Sequence, residues 1–298
     1  MGAIEVEDLA ISYGETRAVD GVSFEVAEGE FFGILGPNGA GKTTTLELVE
    51  GLRRPDRGRV RLLGESPWPR NPRLLPRIGV QLQTSAYFER LTAREQIRTF
   101  GALYGVAAER ADDWLERVGL VDKADTRCEE LSGGQAQRLA IACALVHEPE
   151  VVFLDEPTAA IDPQARRNLW DLLSGLNDSG RTVVLTTHYL DEAEILCDRV
   201  AIMDHGRILE LDSPARLIRG LDAPVRITVG EGIQGSDVDA VPGVEAVSRD
   251  AAGTTLTTRD PAAVLTFLAG RDALDGLQVR GATLEDVFLH LTGREYRA

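Results

Sequence analysis

One short run of residues has the types and spacing that hold a phosphate chain: GPNGAGKTT, at positions 36–44. Its glycines leave backbone N–H groups free to point inward at a phosphate, and the start of a helix adds positive potential. A lysine in this loop can reach the outer phosphates, and the next hydroxyl can ligate Mg²⁺. The pattern therefore predicts a nucleotide site formed by Gly36, Pro37, Asn38, Gly39, Ala40, Gly41, Lys42, Thr43 and Thr44.

Two adjacent carboxylates stand farther along the chain, at Asp155 and Glu156. They follow the apolar residues 151–154 and precede Pro157, which predicts the carboxyl end of a buried strand. Ligands commonly bind at that end of the strands in open parallel sheets. An adjacent Asp-Glu pair is often only a solvated strand end, but the apolar residues before it favour a functional site.

A second glycine-rich run, LSGGQ at 131–135, opens a helical pattern. Small residues at a helix start form a further anion-binding N-terminus. The first loop already satisfies the phosphates of its own nucleotide. The second loop is therefore best explained if it closes over a nucleotide that another copy of the chain holds.

These motifs need a scaffold, and the hydrophobic pattern predicts one in which strands alternate with helices. FFGIL precedes the phosphate loop, and VVFL, TVVLTT and RVAIM read as buried strands separated by helical stretches. We expect helical structure from about 97 to 118, with Gly105 and Gly119 as punctuation, and a long helix from Ser132 to His147. Alternating strands and helices indicate a largely parallel sheet covered on both faces, which is an α/β fold.

The sequence pattern changes beyond Gly220. A linker rich in Pro and Gly leads there into a segment without motifs. We expect two domains, a nucleotide-binding domain at 1–220 and a small α+β accessory domain at 221–298. The last helix should be capped by Thr283, with Asp286 three residues on.

Composition narrows the function classes. The 48 acidic and 32 basic residues give a net charge of −16, which argues against a nucleic-acid partner and against direct binding to an anionic membrane. No apolar run approaches the roughly 20 residues that span a bilayer, so membrane contact is expected only through a partner. Three cysteines without CxxC spacing suggest neither a disulfide framework nor a zinc site, which fits a reducing cytoplasm.

The LSGGQ run resembles the signature of the ATP-binding cassette (ABC) family, and the resemblance covers about Ile4 to Arg219 with the motifs in family order. It implies a P-loop NTPase core of the ABC type, with an antiparallel β subdomain and a helical subdomain, before the small C-terminal domain. ATP and Mg²⁺ are the implied ligands. The implied assembly is an ATP-dependent, head-to-tail homodimer in which each nucleotide lies between one copy's phosphate loop and the other's signature.

The same resemblance implies individual roles. Asp155 looks like the carboxylate that holds Mg²⁺ through water, and Glu156 like the group that polarises the attacking water. Gln83 resembles the glutamine that senses Mg²⁺ and links to the membrane subunit; Gln81 competes for that role, but the spacing favours Gln83. The implied catalytic residues are Lys42, Gln83, Glu156 and His188. The implied metal-binding residues are Thr43, Gln83 and Asp155. The further implied nucleotide contacts are Tyr13, which stacks under adenine, and Ser132, Gly133, Gly134, Gln135 and Asp162.

The implied function is an ATP-hydrolysing motor for a separately encoded transmembrane permease, located in the cytoplasm and peripheral on the inner face of the cell membrane. We expect the permease to dock near 87–103. The tail sequence ATLEDVFLHLTGRE is similar to the C-terminal extension of ATPases that serve bacterial drug and antibiotic exporters, which favours export of drug-like or hydrophobic substrates. The alternatives are an importer subunit and a non-transport ABC switch, although the latter usually carries a second cassette, coiled coils or zinc modules.

Overall fold

The computed structural model describes residues 2–82, 88–159, 161–230, 240–250 and 253–293. These residues form two compact units, one ending at Pro214 and one running from Ala215 to Gly293. The change comes six residues before the boundary expected from the sequence at Gly220.

The centre of the first unit is a six-stranded sheet, described in the order β5-β6-β7-β3-β8-β9. Its first five strands run parallel, and the last pairs antiparallel at one edge. Strands β3, β6 and β7 are buried along their whole length, as expected for a parallel sheet covered on both faces. The strands of this sheet are β3 (Phe31–Leu35), β5 (Ile78–Gln81), β6 (Val151–Asp155), β7 (Thr182–Thr187), β8 (Arg199–Asp204) and β9 (Arg207–Asp212).

A three-stranded antiparallel sheet completes the β structure of this unit, in the order β2-β1-β4. Its strands are β1 (Gly2–Tyr13), β2 (Thr16–Ala27) and β4 (Arg57–Leu62). One apolar cluster includes residues of both sheets, among them Val6, Phe24, Phe32 and Phe153. The stacked rings of Phe24 and Phe32, 5.2 Å apart, belong to that cluster and join the two sheets.

The helices of the first unit are α1 (Lys42–Val49), α2 (Ala93–Leu103), α3 (Ala108–Arg117), α4 (Gly133–Leu145), α5 (Pro163–Asp178) and α6 (Leu190–Leu196). The helical pattern predicted for 97–118, with Gly105 as punctuation, forms two helices, α2 and α3. Gly105 adopts a φ of +73°, a left-handed conformation that ends the first helical segment, and the chain restarts at Ala108.

The second unit begins with α7 (Pro214–Gly220) and contains a four-stranded antiparallel sheet in the order β11-β12-β10-β13. The remaining elements are β10 (Val225–Val229), β11 (Val244–Asp250), β12 (Gly253–Thr258), α8 (Pro261–Ala269), β13 (Gln278–Arg280) and α9 (Leu284–Thr292). Its own apolar cluster includes Ile227, Leu256 and Leu268. The predicted cap of the last helix is confirmed, because the Thr283 N–H donates to Asp286 Oδ2 at 3.0 Å. Across the described ranges of both units, no helix has the length and apolar character needed to cross a bilayer.

Candidate functional site

The candidate site lies at the carboxyl ends of neighbouring parallel strands. The phosphate loop follows β3, Asp155 is the last residue of β6, and His188 follows β7. Because β7 lies between β3 and β6 in the sheet, the topology alone brings these three segments together.

The phosphate loop is shaped by close packing of its backbone. A Cβ at Gly36 would lie 2.3 Å from the carbonyl oxygen of Met203, and one at Gly41 would lie 2.3 Å from that of Ala18. Gly41 also has a φ of +99° and precedes the first residue of α1, which has no side-chain cap. The backbone N–H groups that begin α1 are thus left to an outside acceptor, as a phosphate site requires.

Lys42 is held at the centre of the loop and is only 4% exposed. Its ammonium donates to the carbonyl oxygens of Gly36, at 2.8 Å, and Pro37, at 3.3 Å. Glu156 Oε1 lies 3.4 Å away and forms an ion pair with it. Burial lowers the pKa of Lys42, and the Glu156 charge partly offsets this effect. An anionic ligand would restore to the ammonium the stabilisation that burial removes.

Asp155 is 2% exposed and receives two hydroxyl groups at one oxygen. Thr43 Oγ1 donates to Asp155 Oδ1 at 3.3 Å, and Thr186 Oγ1 donates to the same atom. Burial raises the pKa of Asp155, while the hydrogen bonds from Thr186 and Thr43 work in the opposite direction. A buried carboxylate beside a loop threonine is a donor set that suits Mg²⁺, which prefers oxygen ligands and is usually held by one or two carboxylates plus substrate phosphates.

Glu156 turns away from the strand direction of Asp155. It is not a glycine, yet its φ is +50°, and its N–H donates to both the carbonyl and the hydroxyl oxygen of Thr186 at 3.1 Å. Its Oε2 lies 3.2 Å from His188 Nδ1, although the angle makes no hydrogen bond. Strained backbone of this kind persists only where the surroundings enforce it and clusters at functional sites. The carboxylate of Glu156 therefore lies between the loop lysine and the histidine after β7.

Thr186 is a site residue that the sequence analysis missed. It is fully buried, pairs with Asp155 in the sheet register, and holds both members of the carboxylate pair through one hydroxyl. The run TVVLTT contains the signal, a hydroxyl near the end of an otherwise apolar strand. Recognising it requires knowing that β7 is the neighbour of β6.

The remaining predicted residues have other contacts in this structure. Ser132 and Gln135 cap α4 reciprocally, with Ser132 N–H donating to Gln135 Oε1 at 3.0 Å. Asp162 caps α5 by accepting from two backbone N–H groups. Tyr13 is 46% exposed, and the Arg53 guanidinium lies 5.6 Å from its ring centre. Gln83 lies outside the described residues. Lys42, Thr43, Asp155, Glu156 and His188 are the predicted residues that direct contacts join into one site.

Comparison with known proteins gives evidence that is independent of the site geometry. A family model described as "ABC transporter" matches residues 19–159. The chain is 41% identical over 304 residues to the Nod factor export ATP-binding protein I of Sinorhizobium fredii (strain NBRC 101917 / NGR234), a match that covers 99% of this chain and 87% of that protein.

Solved structures give the same result for the fold. A bacterial ABC transporter cassette solved as a dimer has a TM-score of 0.66 and 29% identity, covering 70% of this chain and 98% of the cassette. The same cassette, in a dimeric post-hydrolysis state bound to ADP and Pi, has a TM-score of 0.65 and 29% identity over the same shares. The fold class predicted from the sequence is confirmed by these similarities.

Proposed function

Because the chain belongs to the ABC transporter family, as a subunit that binds and hydrolyses ATP, we propose that two copies pair head to tail around two ATP molecules and drive export through a separately encoded membrane subunit. The observation that carries this proposal is the contact network of Lys42, Asp155, Glu156 and His188 beside the phosphate loop. Each of these residues has its own part in the proposed reaction.

Lys42 and the loop backbone bind the phosphates. In this structure the ammonium is held by loop carbonyls and by Glu156. When ATP enters, Lys42 exchanges Glu156 for the β- and γ-phosphates, to which a buried cation binds more strongly than to neutral carbonyl groups. The residues of 36–44 supply the remaining N–H donors, and the exposed ring of Tyr13 offers a face for adenine.

Thr43 and Asp155 would hold Mg²⁺, with Gln83 as the further ligand expected from the sequence. When bound, the metal would neutralise charge that develops on the transferred phosphoryl group. Asp155 is already oriented for this contact, because the Thr186 and Thr43 hydroxyls fix one of its oxygens. Thr186 of β7 thus sets the position of the carboxylate before any ligand binds.

Glu156 acts as the base that orients the attacking water, and His188 supports the γ-phosphate from the adjoining strand end. Glu156 lies next to both Lys42 and His188, so the groups that bind the phosphate and the group that activates water share one edge of the sheet. Positioned bases of this kind contribute roughly 10²–10⁴ in rate.

The signature loop, Ser132 to Gln135, is proposed to close over the nucleotide of the second copy, with Asp162 at the same interface. Ser132 opens α4, and a helix N-terminus is suited to contact a γ-phosphate. The dimeric cassettes among the related structures support this arrangement.

Export and membrane attachment rest on the relatives and on one exposed surface. Proteins named as Nod factor export ATP-binding proteins match nearly the whole chain, which supports export over import. Phe88 and Leu103 are 57% and 74% exposed, and apolar side chains in this region are suited to bind a membrane subunit. Through that contact the chain would sit in the cytoplasm, peripheral on the inner face of the membrane. The proposed accessory domain 221–298, which includes most of the second unit, would stabilise or regulate the dimer.

The test is the Glu156→Gln variant. It should keep ATP affinity, lose turnover by at least about 10²-fold, and accumulate as a dimer with ATP, measured by light scattering after gel filtration. Glu150→Gln is the matched control, because Glu150 is paired with Arg77 away from the site and its loss should change neither property. A Glu156→Gln chain that stays monomeric at high ATP and protein concentrations would contradict the proposal.

A further inference from the structure

A cavity of about 330 Å³ opens beside β5 in the first unit. Apolar side chains form most of its wall, including Leu75, Ile78, Val80 and Phe100. Polar side chains from four elements also line it. They are Glu50 at the end of α1, Gln81 at the end of β5, Gln96 of α2, whose Oε1 accepts from the Phe88 N–H, and His147, two residues after α4.

The atoms left without a hydrogen-bond partner around this cavity are all acceptors. Both carboxylate oxygens of Glu50, Oε1 of Gln81 and Nδ1 of His147 have no partner among the described residues. Gln81 Nε2 donates to the Leu82 carbonyl at 2.7 Å, which identifies Oε1 as the unpaired atom. His147 Nε2 lies 2.9 Å from the Ile78 carbonyl oxygen and must carry the proton, so Nδ1 presents a lone pair.

The concentration of these atoms distinguishes the cavity from ordinary packing defects. In the described part of the chain, four of nine such unpaired buried atoms line this one cavity. A buried acceptor without a donor has lost its hydrogen bonds to water and gained none in return, so such a cluster is costly to keep without a function. A ligand group that carries only donors would satisfy them together.

Glu50 dominates the electrostatics of the cavity. Glu50 is only 7% exposed. The charged groups that act on its carboxyl are the carboxylates Asp155 and Glu47. Burial, followed by these two like charges, holds the pKa of the Glu50 carboxyl well above its usual range. A cation entering the cavity would meet a carboxyl that has no competing cation in its described surroundings.

The residues around the cavity opening indicate that the cation is a side chain of another protein segment. Leu52, Leu82 and Tyr104 line the opening and are 52%, 40% and 40% exposed, and Leu103 beside them is 74% exposed. Half-exposed apolar side chains around a buried polar floor match an amphipathic helix that inserts one long polar side chain. The ring of Tyr104 is fixed by stacking on His147 at 3.9 Å between centres.

We propose that this cavity receives an arginine from the membrane subunit and that Glu50 is the residue that selects it. This rests on the proposed function, since it names the chemistry by which the partner is recognised. A guanidinium carries five N–H donors and no acceptor, so one face can pair with both oxygens of Glu50 while the remaining N–H groups serve Gln81 and His147. The apolar stem of the arginine and its neighbouring residues cover Leu52 and Tyr104.

The test uses the full chain and the separately encoded membrane subunit of the proposed function, purified in detergent. Glu50→Leu should weaken assembly at least tenfold in a pull-down titration, yet the melting temperature of the isolated chain should stay unchanged or rise by roughly 2–4 °C, because an unpaired buried carboxyl is removed. Glu150→Gln is the control for loss of a paired acidic residue outside the cavity, and should change neither readout. A merely structural role for Glu50 would instead lower the melting temperature.

A charge exchange identifies the partner residue. Each arginine in the soluble segments of the membrane subunit is changed to glutamate, and one such variant should lose assembly with the wild type and regain it with Glu50→Arg. Glu50→Leu assembling as tightly as the wild type, or no arginine giving this reciprocal pattern, would overturn the inference. So would a Glu50→Leu chain whose ATP-driven dimer alone is weakened, since the occupant would then be a second copy.

Failure of the proposed function would be visible before any variant is made. A wild-type chain that neither hydrolyses ATP nor binds the membrane subunit would refute the transport motor. A wild type that does both, combined with a silent Glu50→Leu variant, would refute only the arginine site.

Discussion

Replacing Thr186 with valine tests whether one buried hydroxyl organises the carboxylate pair. Valine keeps the branched shape of threonine but removes the hydrogen bond to Asp155 and one of the two acceptors of the Glu156 N–H. We expect both a less stable chain and weaker Mg²⁺-dependent hydrolysis. Thr186→Ser is the matched control, because it retains the hydroxyl and loses only a methyl group.

The magnitude follows from the two bonds. A hydrogen bond to a charged group contributes about 1.5–3 kcal/mol and a neutral one about 0.5–1.5 kcal/mol. The second lies at the low end here, since the Glu156 N–H keeps the Thr186 carbonyl as a partner. Thr186→Val should therefore lower the free energy of unfolding by about 2–4 kcal/mol, whereas Thr186→Ser should cost about 1 kcal/mol for a lost methyl group.

Urea unfolding of the nucleotide-free variants measures this difference, with an unchanged m-value indicating that only stability has moved. Activity gives a second readout. The Thr186 hydrogen bond lowers the pKa of Asp155, so its loss should raise that pKa further and shift the acid limb of the ATPase pH profile to higher pH.

Equal stability and equal pH profiles for the valine and serine variants would refute the reasoning. The hydroxyl would then contribute nothing beyond its volume. A stability loss with an unmoved acid limb would show that Thr186 supports the fold without setting the ionisation of Asp155.

Three further predictions address the loop, the adenine face and the cavity. Gly36→Ala should abolish ATP binding and lower the free energy of unfolding by about 1–3 kcal/mol, because its Cβ would lie 2.3 Å from the Met203 carbonyl oxygen. Gly133→Ala is the stability control in urea unfolding, since a Cβ there would meet nothing within 4 Å. Tyr13→Ala should weaken ATP binding by about 1–3 kcal/mol in equilibrium dialysis, whereas Tyr13→Phe should not, since stacking needs only the ring. The wild-type free energy of unfolding should decline as pH rises from about 4.5 through the raised pKa of Glu50, and Glu50→Gln should reduce that decline in urea curves measured from pH 5 upward, leaving the part that comes from Asp155 and Glu192, whose pKa values burial also raises.

Local patterns allowed much of the nucleotide site to be predicted. The glycines of 36–44 follow an apolar strand and precede a helix, so sequence neighbours alone specify the loop. Asp155 and Glu156 follow four apolar residues in the same way, and the end of β6 is where they lie. Such constraints act between residues that are within about ten positions of one another, so they can be recognised from the sequence alone.

Residues that act through tertiary neighbours could not be predicted. Thr186 becomes significant only when the register pairs it with Asp155. Glu50 reads as the ordinary polar end of a short helix, and its isolation depends on β5 and α4 closing around it. Glycine in a helical pattern is compatible with both continuation and a turn, so the punctuation at Gly105 became a helix end only when the structure gave its φ of +73°.

The adjacent carboxylates illustrate how the backbone separates two roles. Asp155 ends its strand in extended conformation and meets hydroxyl donors, whereas the left-handed Glu156 directs its side chain to the Lys42 ammonium and the His188 imidazole. In this structure the proposed base is therefore paired with the lysine that must bind phosphate. A phosphate that captures Lys42 releases Glu156 from this ion pair, so the base becomes free for water only after nucleotide has bound. Under the proposed function, this single exchange of partners would order hydrolysis after binding.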